Sequence, residues 1–256
     1  MATVWHARCA ARRPSGDGGV TSIDASSFLD SIVTTSSAAI GAPEQPPLAD
    51  KIHCIDFSSP TTAMAKVEAT LSATTHTSYL SLLRLADGWK IVAKLFTTRP
   101  ADLHGSVDTT PHESAASELG AAVASYFAAR RNADSQLMGA LLHPSCQLFG
   151  ARQDNGTLCE VERELFVGRS SSAHKPTPAG VGPAKYDRVS FIDKAGSDTA
   201  LAKLHIGYHV KDLALDPSAP PGDRIFTDYL HLVRVAGGWR VVARVYSAID
   251  AFKIGD

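Results

Sequence analysis

The stretch FTDYLHLVRVAGGWRVVARVY, Phe226 to Tyr246, sets two runs rich in Val, Leu and aromatic residues around Ala236-Gly237-Gly238. A Gly-Gly pair between such runs predicts a tight β-hairpin. The same stretch stands 150 positions earlier as HTSYLSLLRLADGWKIVAKLF, His76 to Phe96. Thr77, Tyr79, Leu80, Leu82, Arg84, Ala86, Gly88, Trp89, Val92 and Ala93 recur identically, ten of the twenty positions from Thr77 to Phe96. Most others swap like for like, as Lys90 for Arg240 and Phe96 for Tyr246. The chain is therefore an internal duplication.

Upstream the copies align at an offset of 137: Ile55-Asp56 with Ile192-Asp193, Ala63–Val67 with Ala200–Leu204, His6 and Cys9 with His143 and Cys146. The change of offset gives the second copy 13 extra residues before its last hairpin. They fall in Asp212–Arg224, whose Pro217, Pro220, Pro221 and Gly222 read as a lengthened loop. Before His143 the second copy shows two helical patterns. Glu118–Arg131 spaces Leu119, Val123, Tyr126 and Phe127 on one face, and Asp134 is an N-cap for Ser135–Leu142. Strands are predicted over Cys146–Arg152 and Thr157–Val161, joined by Asp154-Asn155-Gly156, and over Lys185–Asp193 and Thr199–Lys211. Between them lie a short helix, Glu162–Val167, and a Ser/Pro/Gly loop, Gly168–Pro183. The first copy has no counterpart of the first helix; either it is a degenerate domain or the true start lies upstream. The expected domains are residues 1–99, truncated, and 114–256, complete, joined across Thr97–Glu113.

Composition sets limits on partners. With 256 residues, 44% apolar and 20% charged, the chain is of ordinary globular type. A net charge of −1 offers no broad field for nucleic acid or an anionic membrane. No apolar run approaches the roughly 20 residues of a membrane span. Cys9, Cys54, Cys146 and Cys159 show neither CxxC spacing nor a dense disulfide framework, so free thiols in a reducing compartment are expected. Arg8, Arg12 and Arg13, with no acid before Asp17, share the composition of organelle transit segments. The repeat reaching back to His6 favours a cytoplasmic protein, with an organelle as the alternative.

Two helices, short strands, a small helix and three long antiparallel strands with a Gly-Trp turn resemble the nuclear-transport-factor-2-like (SnoaL-like) superfamily. FTDYLHLVRVAGGWRVVARVY and HPSCQLFGARQDNG resemble its "putative lumazine-binding" branch. The resemblance implies an α+β fold of two tandem cone-shaped domains, each a curved antiparallel sheet with helices on one face, and a cavity in the cone. It also implies pairing of open sheet faces, which a tandem could satisfy within one chain as a pseudo-dimer or between chains as a homodimer.

The suggestive polar residues lie in the second copy: Asp228 against Ser78, His231 against Ser81, His205 against Glu68 and His209 against Ser72. SYFAARRNAD resembles the start of ketosteroid isomerases, with Tyr126 eight residues before Asp134. There the tyrosine would supply an oxyanion-type hydrogen bond; the other reading is a core aromatic with a satisfied hydroxyl. Those enzymes carry a carboxylate base sixteen residues after the aspartate, and position 150 here is glycine. His205 and His209, four apart on a strand, are about 13 Å apart and too distant to share a metal, so no metal and no cofactor are expected. His143 before Pro144 reads most simply as a helix stop. Alternation puts Asp228 with Leu230, Leu232 and Arg234 on one face of its strand, and Tyr229 with Thr227, His231 and Val233 on the other; which one lines the cone is open. Arg240 and Arg244 read as a solvated or interfacial charged face, and Trp89 and Trp239 as core anchors. The expected ligand is a small, flat, partly apolar molecule held among Tyr126, His143, Asp228, Tyr229 and His231, with no catalytic residue assigned. The expected function is thus a non-catalytic small-molecule-binding or scaffold protein. The alternative is an isomerase, dehydratase or cyclase acting in the second cone, and a third reading is an association module whose cavities are filled by side chains.

Overall fold

The computed structural model describes residues 4–30, 50–71, 74–101, 113–151, 155–172, 185–209 and 223–250. The first half contains β1 (Trp5–Pro14), β2 (Val20–Asp24), a helix α1 over residues 25–30, β3 (Lys51–Ser59), β4 (Thr62–Leu71), β5 (Thr74–Leu85) and β6 (Gly88–Pro100). The second contains α2 (Glu113–Arg131), α3 (Ser135–Leu141), β7 (Leu142–Ala151), β8 (Leu158–Val161), α4 (Arg163–Ser172), β9 (Arg188–Lys194), β10 (Thr199–His209), β11 (Asp223–Val235) and β12 (Gly238–Asp250). Each half builds a six-stranded sheet, ordered β2-β1-β6-β5-β4-β3 and β8-β7-β12-β11-β10-β9. The duplication read from the sequence is therefore a duplication of topology.

Both sheets are mixed. Neighbours pair antiparallel except β1 with β6 and β7 with β12, which are parallel. The closing hairpins are tight: Val235 pairs with Gly238 and Leu85 with Gly88 across two residues. Gly238 and Gly88 sit at φ 101° and 108°, where a side chain is strained, which is why glycine stands before each Trp. Each hairpin also carries a bulge in the same place. His231 pairs with Ala243 but Leu232 with Val241, leaving Val242 extra; Ser81 pairs with Ala93 but Leu82 with Ile91, leaving Val92 extra.

Asp134 caps α3 as its sequence suggests, its side chain accepting from the Leu137 amide at 2.8 Å. α2 begins at Glu113, earlier than the apolar periodicity indicates, and α4 runs to Ser172, into the expected loop. The extra segment before the last hairpin falls outside the described residues up to position 222, as do Asp154 of the β7–β8 turn and residues 102–112 of the linker.

The second sheet turns an outer face towards its helices, and the inner faces of the two sheets turn towards each other. Leu119, Val123, Tyr126 and Phe127 of α2 pack with Met138 of α3, Phe166 of α4 and the outer residues Leu204, Ile206, Phe226, Leu230 and Val241. The inner faces meet each other. Met64, Tyr79 and Leu95 pack with Leu201, Tyr229, Val233 and Val242, and beside them Leu83, Val92 and Ala93 pack with Phe149, Ala243 and Val245. Burying such side chains is worth about 1.5–3 kcal/mol each.

The polar contacts between the sheets repeat with the chain. Tyr79 donates to Asp193 at 2.8 Å and Tyr229 donates to Asp56; Lys66 meets Asp193 and Lys203 meets Asp56, both at 2.7 Å. Tyr79 and Tyr229, Asp56 and Asp193, and Lys66 and Lys203 are equivalent in the repeat. The contact is thus isologous in kind although it lies within one chain. The turn tips are reciprocal too: the Ala236 amide donates to Gly18 at 2.9 Å, and a Cβ at Gly156 would stand 3.0 Å from the Ala86 amide nitrogen.

Candidate functional site

The outer face of the second sheet holds a polar centre. Asp228 lies on β11 and Arg244 on β12, and Arg244 reaches Asp228 with two bonds, Nε to Oδ2 at 2.7 Å and NH2 to Oδ1 at 2.8 Å. Tyr126, delivered by α2, donates its hydroxyl to the same Oδ2 at 3.2 Å. The planar guanidinium lies between rings, 4.4 Å from Tyr246 and 4.9 Å from Phe166. Next to it Arg130 stacks at 3.8 Å on Tyr208, whose ring meets Phe226 edge-on at 4.8 Å. Tyr126, Asp228 and Arg244 are only 1%, 0% and 3% exposed.

Burial opposes the charge of Arg244, yet the Asp228 carboxylate outweighs it and holds the guanidinium charged well above its ordinary range. Burial drives the Tyr126 hydroxyl well above the usual phenol value, so it stays a neutral donor. The three groups satisfy one another: an acceptor, a two-pronged donor and a hydroxyl.

The five residues singled out from the sequence do not converge. Tyr126 and Asp228 meet on the outer face. Tyr229 and His231 point inward, Tyr229 to Asp56 and His231 to Ser81 of the other half, with Nε2 to Oγ at 2.7 Å. His143, half-buried at the start of β7, turns its Nδ1 onto Ser145, 2.8 Å from the hydroxyl and 3.2 Å from the amide nitrogen. Burial lowers His143 below the ordinary imidazole range, helped by Arg12, Arg163 and Arg240. His231 is fully buried, and that burial, with Arg12 adding to it, pushes the imidazole down to about 3. Among the described residues its Nδ1 has no hydrogen-bond partner, nor do Nε and NH1 of the buried Arg12, whose NH2 bonds the Ser145 carbonyl and Gln147.

Arg244 corrects the sequence reading. Strict alternation grouped it with Arg240 on a charged face, but the Val242 bulge changes the parity of β12. Val242 and Ala243 both face inward, and Arg244 turns into the outer core. Gly150 pairs in register with Tyr246, and a Cβ there would lie 2.6 Å from that ring. Tyr246 therefore fills the space where the isomerase-like pattern would carry its base. Among the described residues no group of three or more His, Cys, Asp or Glu side chains gathers to hold a metal ion. No described helix is long and apolar enough to cross a membrane.

The family model described as "Putative lumazine-binding" matches residues 1–97 and again 114–247. Among solved structures, the chain is similar to a nuclear-transport-factor-2-like protein of unknown function from Silicibacter pomeroyi: 20% identity, TM-score 0.41, 54% of this chain and 98% of that one. A nuclear-transport-factor-2-like protein of unknown function from Shewanella baltica gives 19% identity and TM-score 0.42 over 56% and 100%. A ketosteroid isomerase-like protein from Erwinia carotovora atroseptica gives 13% and 0.37 over 52% and 95%. A search of curated proteins finds no match. With each half matched by the same family and built on the same six-stranded topology, the chain belongs to the "Putative lumazine-binding" family, in tandem.

Proposed function

We propose that the chain is a non-catalytic scaffold of two paired cone domains, residues 1–99 and 114–256, in which the second cone is closed by its own side chains. The observation that carries this reading is the mutual saturation of Tyr126, Asp228 and Arg244 at almost no exposure. A catalytic carboxylate must be free to take a proton from substrate, whereas Asp228 is clamped by two guanidinium bonds and a phenol. A ligand at this centre would first have to break a buried ion pair, at a cost of about 3–5 kcal/mol. Pairing within the chain is supported by the Tyr79–Asp193 and Tyr229–Asp56 contacts, with no second copy needed to cover the inner faces. Cys9, Cys54, Cys146 and Cys159 are not joined by disulfides, which fits a reducing compartment that we take to be the cytoplasm.

The test is a double substitution of the full chain, Asp228→Leu with Arg244→Met. If the centre is structural, the single changes destabilise strongly, and the pair regains most of the loss in urea unfolding. Mass spectrometry of compounds released on denaturation completes the test. A stoichiometric small molecule that is lost in a folded Tyr126→Phe variant would overturn the reading.

A further inference from the structure

The first half repeats the cation-in-rings arrangement without its anion. Lys94, equivalent to Arg244, lies with its Nζ 4.3 Å from the Phe28 ring, 5.1 Å from Phe96 and 5.9 Å from Trp5. Phe96 is the counterpart of Tyr246, and Phe28 of α1 lies against Lys94 as Phe166 of α4 lies against Arg244. The rings form one group, with Trp5 and Phe28 centroids 5.2 Å apart and Phe28 and Phe96 6.3 Å apart. Two further basic groups border it: Arg13 lies 6.0 Å from the Phe96 centroid and the His76 ring 6.1 Å from it.

The position of Asp228 is taken by Ser78, in the same register, opposite Phe96 as Asp228 is opposite Tyr246. Among the described residues no carboxylate pairs with Lys94. Burial lowers its amine to about 8, with only a small opposing effect from the Cys9 thiol. The second half shows what completes such a cage: one carboxylate bonded to the cation that the rings flank. Arg13 is exposed and Lys94, His76, Trp5 and Phe28 are half-buried, so this cage, unlike the other, is open to solvent.

We propose that the Lys94 cage binds a small aromatic carboxylate. Its carboxylate takes against Lys94 the place that Asp228 takes against Arg244, and its ring packs on Trp5 and Phe28. Lys94 and Arg13 select for the single negative charge; Trp5, Phe28 and Phe96 select for a flat body over acetate-like ions. This site is separate from the closed centre of the second half, and the scaffold reading stands or falls independently of it.

The test uses benzoate and the full chain, followed by NMR of the Lys94 side chain and by Trp fluorescence. The expected result is one saturable site with Kd of about 1 mM or tighter, and a Lys94 pKa raised by about one unit when benzoate is bound. Benzyl alcohol, which lacks the charge, and acetate, which lacks the ring, should each bind at least about tenfold more weakly. Lys94→Met should weaken benzoate by at least about tenfold. Ser78→Asp, which installs the second half's internal carboxylate and keeps the lysine paired, should do the same in a folded protein. The proposal is overturned if benzoate shows no saturation by about 10 mM, if benzyl alcohol binds as well, or if Ser78→Asp leaves benzoate binding unchanged.

Discussion

The two halves share a topology, a bulge and a Gly-Trp turn, yet they use their outer faces differently. In the second, α2 and α3 cover the sheet, Trp239 is 2% exposed, and the buried cation Arg244 has an internal carboxylate. In the first, Trp89 is only half-buried and packs edge-on against Phe57, which is 61% exposed. There the corresponding cation, Lys94, is half-buried, and a serine, Ser78, stands at the position of the aspartate. A charge can be taken out of water only with a partner or a compromise. The second half has the partner. The first has rings, partial exposure and a lowered amine.

That contrast can be tested by stability. The largest effect should come from Asp228→Ala, which strands a buried guanidinium and should cost about 3–5 kcal/mol, against less than about 1 kcal/mol for Ser78→Ala. Urea unfolding of the two variants checks this, and equal losses would erase the distinction between the halves. The inner faces should behave oppositely. Asp56→Ala and Asp193→Ala each remove a tyrosine and a lysine partner, so each should cost about 1–3 kcal/mol, and the two values should agree closely. Unequal values would mean that the symmetric bonds are not energetically symmetric.

A pH effect sharpens the comparison at Ser81 and His231. Burial keeps folded His231 neutral down to about 3, whereas an unfolded imidazole titrates near 6.5. In that window the unfolded chain binds the extra proton, so stability falls as pH drops from 6.5 towards 3. The slope approaches about 1.4 kcal/mol per pH unit, and it should flatten in the double variant Ser81→Ala, His231→Leu. Denaturation midpoints between about pH 4.5 and 7 measure it. A smaller effect than that of Asp228→Ala should follow from Tyr126→Phe, about 1 kcal/mol by urea unfolding, because Arg244 still holds Asp228 when the phenol is gone.

The repeat, the hairpins and the N-cap at Asp134 were legible because they depend on residues near one another in the chain. The fate of Arg244 was not, although its recurrence as Lys94 marked the position. An extra residue at Val242 turns every later side chain to the opposite face, and the Val-Ala pair common to both copies does not announce a bulge. Nor was the place of the Tyr246 ring beside Gly150 legible. Gly150 and Tyr246 meet across a parallel pair whose strands are separated by most of the domain, so only the folded register shows the ring in the glycine's place. Alternation sorted Asp228 from Tyr229 and His231 correctly, but could not say which set faced the helices, because both faces of this sheet are buried.

Ser81 and His231 occupy the same position in the two copies, and they touch. Equivalent groups can meet only on the axis that relates the halves. In a dimer of identical subunits such a position always faces itself: serine would meet serine, or one imidazole another. Joining the halves covalently guarantees one of each in every molecule, and it is this fixed stoichiometry that lets a hydroxyl answer an imidazole there. The pair records that the copies have ceased to be interchangeable: neither half, released from the other, could rebuild that centre with its own twin.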